Sequence, residues 1–298
     1  MLKEIDKKIK NTGAFPFCAV NKSYAKDVYW SVALYSSWIT FSKKDAPFFV
    51  VIPRRDLTLF QEEFLKNFPD NLPIFLSEED FLDHIDVKIP IEFNGWHTQQ
   101  IIKLGFAKTG WADRYIALDS AMIFQKPFDW EKDWGEQSKL FLVCGLDIKE
   151  RYYSYLDTID EKTWLRSALV PARISYEEID RIIQHDGSQG GWYPAPSIFD
   201  SAIVQQLESF LRDREIDGIV GAIQIAPYEF RWYGTYLLKY FSESISLINA
   251  DYFKPIISKE SADEFLLGQQ HLTDRQIGFL FQPPASDFIN PKEVFNQN

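Results

Sequence analysis

The stretch YIALDSAMIF (115–124) reads as a buried strand that ends by turning one acid, Asp119, out of the core. In an open α/β sheet ligands bind outside the carboxyl ends of the strands, so an acid at that point stands where a site would form. Side chains two apart on an extended segment point the same way. An Asp-x-Asp triplet there can therefore direct two carboxylates at one divalent cation and a diphosphate. Here the triplet is Asp119, Ser120, Ala121, and the second ligand is missing. A strand-end Asp can equally accept hydrogen bonds from turn backbone, and this feature alone leaves both roles open.

The preceding segment, NGWHTQQIIKLGFAKTG (94–110), predicts a helix of about three or four turns, with Asn94 as its N-cap and Gly110 as its stop. Along it Trp96, Gln99 or Gln100, and Lys103 share one face, while Ile101 and Leu104 can face a sheet. An aromatic plane, an amide and an ammonium on one stripe suit a base, its polar edge and a phosphate. An exposed polar face with one packed Trp has the same pattern. Glu229 lies among Tyr228, Trp232, Tyr233 and Tyr236, which suits a sugar-binding surface or a buried carboxylate paired to Arg231 or Lys239. HDGSQGGWYP (185–194) reads as a loop able to close over a sugar through Trp192 or Tyr193, or as a plain surface connection. It is not a Walker loop, since no Gly-Lys-Ser/Thr follows.

The elements that must position these residues alternate. FPFCAV (15–20), PFFVVIP (47–53) and LPIFL (72–76) are continuous apolar runs suited to buried strands. Between them, VYWSVALYSSWITF and the series Leu57, Phe60, Phe64, Phe68 have helical character. LFLVCGLD (140–147) supplies a further strand. Unalternating strands separated by helices predict an α/β fold, a mostly parallel central sheet flanked by helices. SYEEIDRIIQH and the series Ile203, Leu207, Phe210, Leu211 mark helices in the second half, which reads as helical and loop embellishments. No repeat or linker divides the chain, so a single domain over 1–298 is expected.

With 298 residues, 46% hydrophobic and 16% aromatic, the chain can bury a large core. Its 32 Lys and Arg against 43 Asp and Glu give a net charge of −11, which argues against nucleic acid or an anionic membrane as a partner of the whole surface. No secretory signal is visible, and no apolar stretch approaches the ~20 residues of a spanning helix, so a cytoplasmic location without an integral membrane segment is expected. The two cysteines, Cys18 and Cys144, make neither a disulfide framework nor a zinc cluster and read as reduced residues packed in strands.

The run GWHTQQIIKLGFAKTGWADRYIALDSAMIFQKPF resembles the core signature of a bacterial glycosyltransferase-like family. In that family a Gly-Trp and a Gln-Gln-x-x-Lys-Leu helix lead into a strand ending Leu-Asp-Ser-Asp, then an aromatic and a Pro. PYEFRWYGTYL (227–237) is similar to its Glu-Tyr-x-x-Tyr-Gly-x-Tyr segment, and Tyr24 and Asp27 sit where this class begins its nucleotide pocket. The resemblance implies a GT-A-like three-layer sandwich and transfer of a sugar, hexosyltransferase-like, from a nucleotide-sugar donor to a hydroxyl acceptor such as a glycan, in synthesis of a bacterial surface polysaccharide. It implies a donor half over 1–147 and an acceptor and lid half over 148–298. Carried over, Gln100, Lys103 and Asp119 would hold the donor, and Tyr24, Trp96, Gln99 and Ser120 are expected beside them in the donor pocket. Asp119 and Glu229 would be catalytic, Glu229 orienting the acceptor or acting as general base, and Trp192, Tyr193, Arg231 and Tyr233 would meet the acceptor.

The departure is Ala121, where the family places its main metal-binding carboxylate. A departing diphosphate needs charge stabilisation, normally from Mn2+ or Mg2+. Three outcomes are open: a cation held by Asp119 with a distant ligand such as His271, metal-free stabilisation by Lys103, Arg54, Arg55 or Arg231, or a degenerate protein that binds nucleotide or glycan without turnover. No organic cofactor is implied. A phosphatase of the haloacid-dehalogenase type does not fit, because its nucleophile sits on the first strand with a second Asp two residues on.

Overall fold

The computed structural model describes residues 2–134, 139–144, 175–186, 196–249, 252–256, 258–274, 276–282, 286 and 288–295. Helix α1 (Leu2–Thr12) precedes β1 (Phe15–Lys22), and α2 (Val28–Phe41) leads to β2 (Phe48–Ile52). Then come α3 (Leu57–Asn67), β3 (Ile74–Ser77), α4 (Glu78–His84), α5 (Gly95–Gly105), β4 (Ala112–Leu118) and β5 (Met122–Phe124). The short α6 (Trp130–Trp134) and β6 (Leu140–Cys144) follow. The second half contributes α7 (175–183), β7 (Ser197–Asp200), α8 (Ser201–Arg212), α9 (Gly218–Ile225) and α10 (Glu229–Tyr240). It ends with β8 (Ile245–Asn249), β9 (Phe253–Ile256), α11 (Lys259–Leu266), β10 (Gly278–Phe281) and α12 (Pro291–Phe295).

The central sheet has the order β3-β2-β1-β4-β7. β1 pairs in parallel with β2 and β4, and β2 with β3, while β7 lies antiparallel on β4. All five residues of β2 are buried, and so are the last six of β1. Alternate residues of a strand face opposite sides, so helices cover both faces, and this is why these strands read as unbroken apolar runs. The α/β fold with a mostly parallel sheet flanked by helices is thus as the sequence predicts.

Two smaller ladders lie beside it. β10 pairs antiparallel with β5 and parallel with β9. A Cβ on Gly278 would lie 2.1 Å from the Ile123 carbonyl oxygen, so only glycine lets β10 approach β5 this closely. LFLVC of the LFLVCGLD run forms β6 as expected, but it pairs with β8 in a two-stranded parallel ladder outside the central sheet, and residues 145–147 lie outside the described residues. Besides helices and loops, the second half supplies β7 to the central sheet and both β9 and β10 to the ladder that holds β5. One apolar core runs from Phe17, Val20 and Phe49 through Tyr115 to Trp232 and Leu237. A second cluster gathers Trp30, Ile123, Phe265, Phe279 and Phe281.

Candidate functional site

From β1 the chain steps outward to β2 and β3, then crosses to the far side of β1 as β4. The strand order reverses between β1 and β4, and the crevice beyond their carboxyl ends is the ligand position of such sheets. β1 ends there in Asn21, Lys22 and its neighbour Ser23, and β4 is followed by Asp119 and Ser120. Asn21 Nδ2 donates to the Leu118 carbonyl (3.0 Å) and to Ser120 Oγ (3.2 Å), and Ser120 Oγ donates to Ser23 Oγ (3.0 Å). Ser31 Oγ, from α2, donates to Ser23 Oγ (2.8 Å) and Asn21 Oδ1 (3.3 Å). These four side chains are buried and satisfied by one another, so they tie the two strand ends together. Ser120, expected on the donor, belongs to this tie.

The functional stripe lies on α5. Asn94 Oδ1 accepts from the backbone N–H groups of Trp96 and His97, which starts the helix, and Gly110 at φ 67° takes the left-handed turn that closes the segment. Ile101 and Leu104 are buried, as their spacing predicts. Lys103, only 2% exposed, donates from Nζ to Asp119 Oδ1 (2.7 Å) and to Glu229 Oε1 (3.0 Å), with the Phe230 ring at 4.7 Å. Gln99 Nε2 donates to the same Asp119 oxygen (3.1 Å). Gln100 satisfies its neighbours with its amide nitrogen turned to Glu229 and its oxygen accepting from Trp96 Nε1 (2.8 Å). The helix places Trp96, Gln100 and Lys103 on one line, and Glu229 at the start of α10 meets that line from the second half of the chain.

Burial by itself lowers the Lys103 pKa, but the two carboxylates outweigh it and hold the ammonium above the ordinary lysine range. Burial pushes the Glu229 carboxyl up, against the opposing pull of Lys103. Burial also raises Asp27, and the charge of Asp119 adds to that rise, which places Asp27 within electrostatic reach of the site. Tyr24 donates to the Gly95 carbonyl (2.5 Å), and Lys22 Nζ lies 3.6 Å from its ring centroid. Lys22 pairs with Glu78 at 2.9 Å, and burial lowers its pKa against that partner. Arg55, 82% exposed at its side chain, acts by charge on the Tyr24 hydroxyl.

The structure thus brings Tyr24, Trp96, Gln99, Gln100, Lys103, Asp119, Ser120 and Glu229 to one edge. Two expected acceptor residues lie elsewhere. Arg231 is buried, with its guanidinium on Asp180 at 2.5 and 2.6 Å and on the Tyr176 ring at 5.0 Å. Tyr233 is buried against Phe199, and its hydroxyl accepts from Asp200 N (2.9 Å). Arg231 stands two positions beyond Glu229 on α10 and Tyr233 a full turn beyond it, and both side chains are buried. Trp192 and Tyr193 lie outside the described residues. Arg54 is paired with Asp80 at 2.7 Å, and the His271 carbonyl accepts from Lys254.

The strand-end triplet also differs from expectation. β4 stops at Leu118, and Asp119 to Ala121 turn toward β5, so the two-residue repeat of a strand no longer aligns positions 119 and 121. Ala121 packs against the second apolar cluster, and its carbonyl accepts from Phe281 N (2.9 Å). Asp119 Oδ1 is already taken by Lys103 and Gln99, and among the described residues no group of three or more His, Cys, Asp or Glu could hold a metal ion. The described side chains therefore offer no group of three such ligands for Mn2+ or Mg2+. A depression of about 410 Å3 lies at the opposite end of the sheet, lined by Pro16, Ala112, Arg114, Asp200 and Gln205, away from this chemistry.

Sequence reasoning missed Asn21, Lys22, Ser23 and Glu78. The first three carried a usable signal, since a polar triplet closing an apolar strand is the feature that singled out Asp119. Glu78 carried none, because only folding brings α4 to the end of β1.

Among the described residues no helix is long and apolar enough to cross a membrane. Three solved structures are similar in outline. A galactosyltransferase, LgtC, in complex with donor and acceptor sugar analogues is 11% identical, with 94% of this chain and 95% of that chain covered and a TM-score of 0.49. The apo WbbM bifunctional glycosyltransferase is 11% identical over 83% of this chain and 40% of that one, at 0.44. Apo mouse xyloside xylosyltransferase 1 is 9% identical over 92% and 99%, at 0.45. No curated protein matches the sequence. A family model described as a family of unknown function, DUF6492, matches residues 7–263, and the chain belongs to that family.

Proposed function

We propose that this chain is a glycosyltransferase that moves a sugar from a nucleotide-sugar donor to a hydroxyl acceptor. The observation that carries the reading is the Asp119, Lys103, Glu229 cluster at the β1/β4 switch point, with Asp119 its exposed end at 33%. In transfer, the bond from the anomeric carbon to the diphosphate oxygen breaks with its electron pair staying on the diphosphate, a bond to the acceptor oxygen forms, and the hydroxyl proton passes to the departing diphosphate or to water. In this reading Asp119 contacts the donor, which its partial exposure at the strand end supports. Glu229, 4% exposed and engaged by Lys103 and Gln100, acts as a positioning residue that fixes Lys103, and not as a base facing the acceptor. A role in bacterial surface polysaccharide synthesis is supported by the resemblance of the 95–128 run.

A second reading, a protein that binds donor without turnover, is favoured by Ala121, whose side chain faces an apolar cluster. Calorimetric titration with UDP, GDP, CDP and their sugars, each with Mn2+ and with EDTA, tests the proposal. Binding of one nucleotide series that Asp119→Asn weakens is expected. Absence of binding to every one at millimolar concentration removes it. Donor turnover in the same mixtures, lost in Asp119→Asn, separates the enzyme from the non-catalytic binder.

A further inference from the structure

Trp96 is the exposed end of a buried polar chain. Its residue is 44% exposed, yet its indole N–H is turned inward to Gln100, which continues to Glu229, Lys103 and Asp119. The three middle members are buried, so the only parts of this chain that solvent reaches are Trp96 and Asp119. An exposed Trp normally keeps its N–H for water or a partner, and here that polar edge is consumed. What Trp96 presents outward is C–H and π surface.

The ring is also braced. Tyr228 meets it at 5.5 Å and 82°, and Tyr176 meets Tyr228 at 5.1 Å and 83°. His97 approaches from its own turn at 5.7 Å, held in turn by Asn94 Oδ1 and by the Phe93 ring. An aromatic fixed in this way loses little freedom when a ligand covers it. The side chains beside it, Asn94, His97 and Gln99, offer hydrogen bonds without a permanent charge. A partner for such a surface has a flat C–H face rimmed by neutral hydroxyls, which describes a saccharide ring.

We propose that Trp96, braced by Tyr228, is a platform for a neutral saccharide ring of the hydroxyl acceptor, a role that rests on the transferase reading given above. Tyr228 and Tyr176 come from the second half of the chain, on the Glu229 side of Lys103, whereas the proposed nucleotide crevice lies on the Asp119 side. Trp96 moves from the donor set to the acceptor, and the buried Gln100, Glu229, Lys103 chain joins the two subsites.

Saturation-transfer NMR of the full chain with methyl glycosides of the common hexoses and, separately, with UDP, GDP and CDP tests this. The expected result is ring-proton saturation for at least one glycoside, weakened roughly tenfold by Trp96→Ala, less by Tyr228→Ala, and kept within about threefold by Trp96→Phe, with nucleotide affinity of Trp96→Ala unchanged. Loss of nucleotide affinity in Trp96→Ala with glycoside binding intact overturns the proposal in favour of base stacking, and so does absence of any glycoside signal in the native chain. Glycoside binding that depends on Trp96 in a protein that binds no nucleotide keeps the platform and rejects the transferase reading.

Discussion

Replacing Lys103 by Met keeps the length of the buried stem and removes the ammonium that two carboxylates share, at 2.7 Å for Asp119 and 3.0 Å for Glu229. Asp119 is one-third exposed and can turn to water, so its share of the loss is about 0–1 kcal/mol. Glu229 is buried and cannot turn away. Removing one partner of a buried pair costs about 3–5 kcal/mol, and because Gln100 still donates to Glu229 the lower end, about 3 kcal/mol at pH 8, is expected. At about 2 °C per kcal/mol for a chain of this size, the melting temperature falls by about 6 °C.

The pH dependence gives the cause. Burial already holds the folded Glu229 carboxyl above its unfolded value, and loss of Lys103 removes the largest influence that lowers it. The native state of the variant then binds a proton more tightly than the unfolded chain, so its stability falls as pH rises from the unfolded value through the folded one. Urea denaturation should show a smaller deficit at pH 5 than at pH 8, and Lys103→Met with Glu229→Gln should recover more than half of the loss at pH 8. An equal deficit at both pH values with no recovery in the double variant refutes the view that Lys103 neutralises a buried acid.

Gly278→Ala drives a methyl to 2.1 Å from the Ile123 carbonyl, a backbone atom that no rotamer change moves, and should cost about 3 kcal/mol in urea; an unchanged midpoint would show that β5 and β10 can spread. Ala121→Asp puts a carboxylate against the cluster of Trp30, Ile123 and Phe281, lowering stability by about 1–3 kcal/mol without Mn2+. If Mn2+ with nucleotide restores that loss, the new side chain has found a cation and the turn has rearranged. Arg231→Met breaks a buried pair with Asp180 and should cost about 3–5 kcal/mol while nucleotide affinity stays the same; weakened ligand binding at native stability would return Arg231 to the site.

The parts of the fold legible in the sequence are those whose signal is local. Runs such as FFVVI are apolar without alternation because both sheet faces are covered, and Asn94 and Gly110 bound α5 through their own backbone chemistry. Partner choice was not legible: LFLVC says strand, but its pairing with β8 depends on residues about a hundred positions later. The site divides in the same way. Trp96, Gln100 and Lys103 align through helical spacing, and Asp119 through its place at a strand end. The Lys22 and Glu78 pair needs two elements to meet, and Arg231 was assigned to a ligand although its helical face, two positions from Glu229, points into the core.

The turn at Asp119 bears on how this edge could receive a diphosphate. Lys103 is buried and engaged by two acids, and Lys22 is buried and engaged by Glu78, so both cations are matched inside the protein. A nucleoside diphosphate at this edge adds at least two negative charges beside Asp119 and Asp27, whose carboxyl burial already raises, with the charge of Asp119 adding to the rise. Among the described residues, accessible cations at this edge include Arg55, felt at Tyr24, and Lys26, felt at Asp27. Either these side chains swing onto the phosphates, or a divalent cation arrives with the ligand and is held mostly by the ligand's own oxygens. The first case predicts binding that survives EDTA and weakens in Arg55→Ala; the second predicts binding that EDTA abolishes and Arg55→Ala leaves intact. The consequence of having alanine at position 121 is therefore read out by the cation dependence of nucleotide binding, and not by whether binding occurs at all.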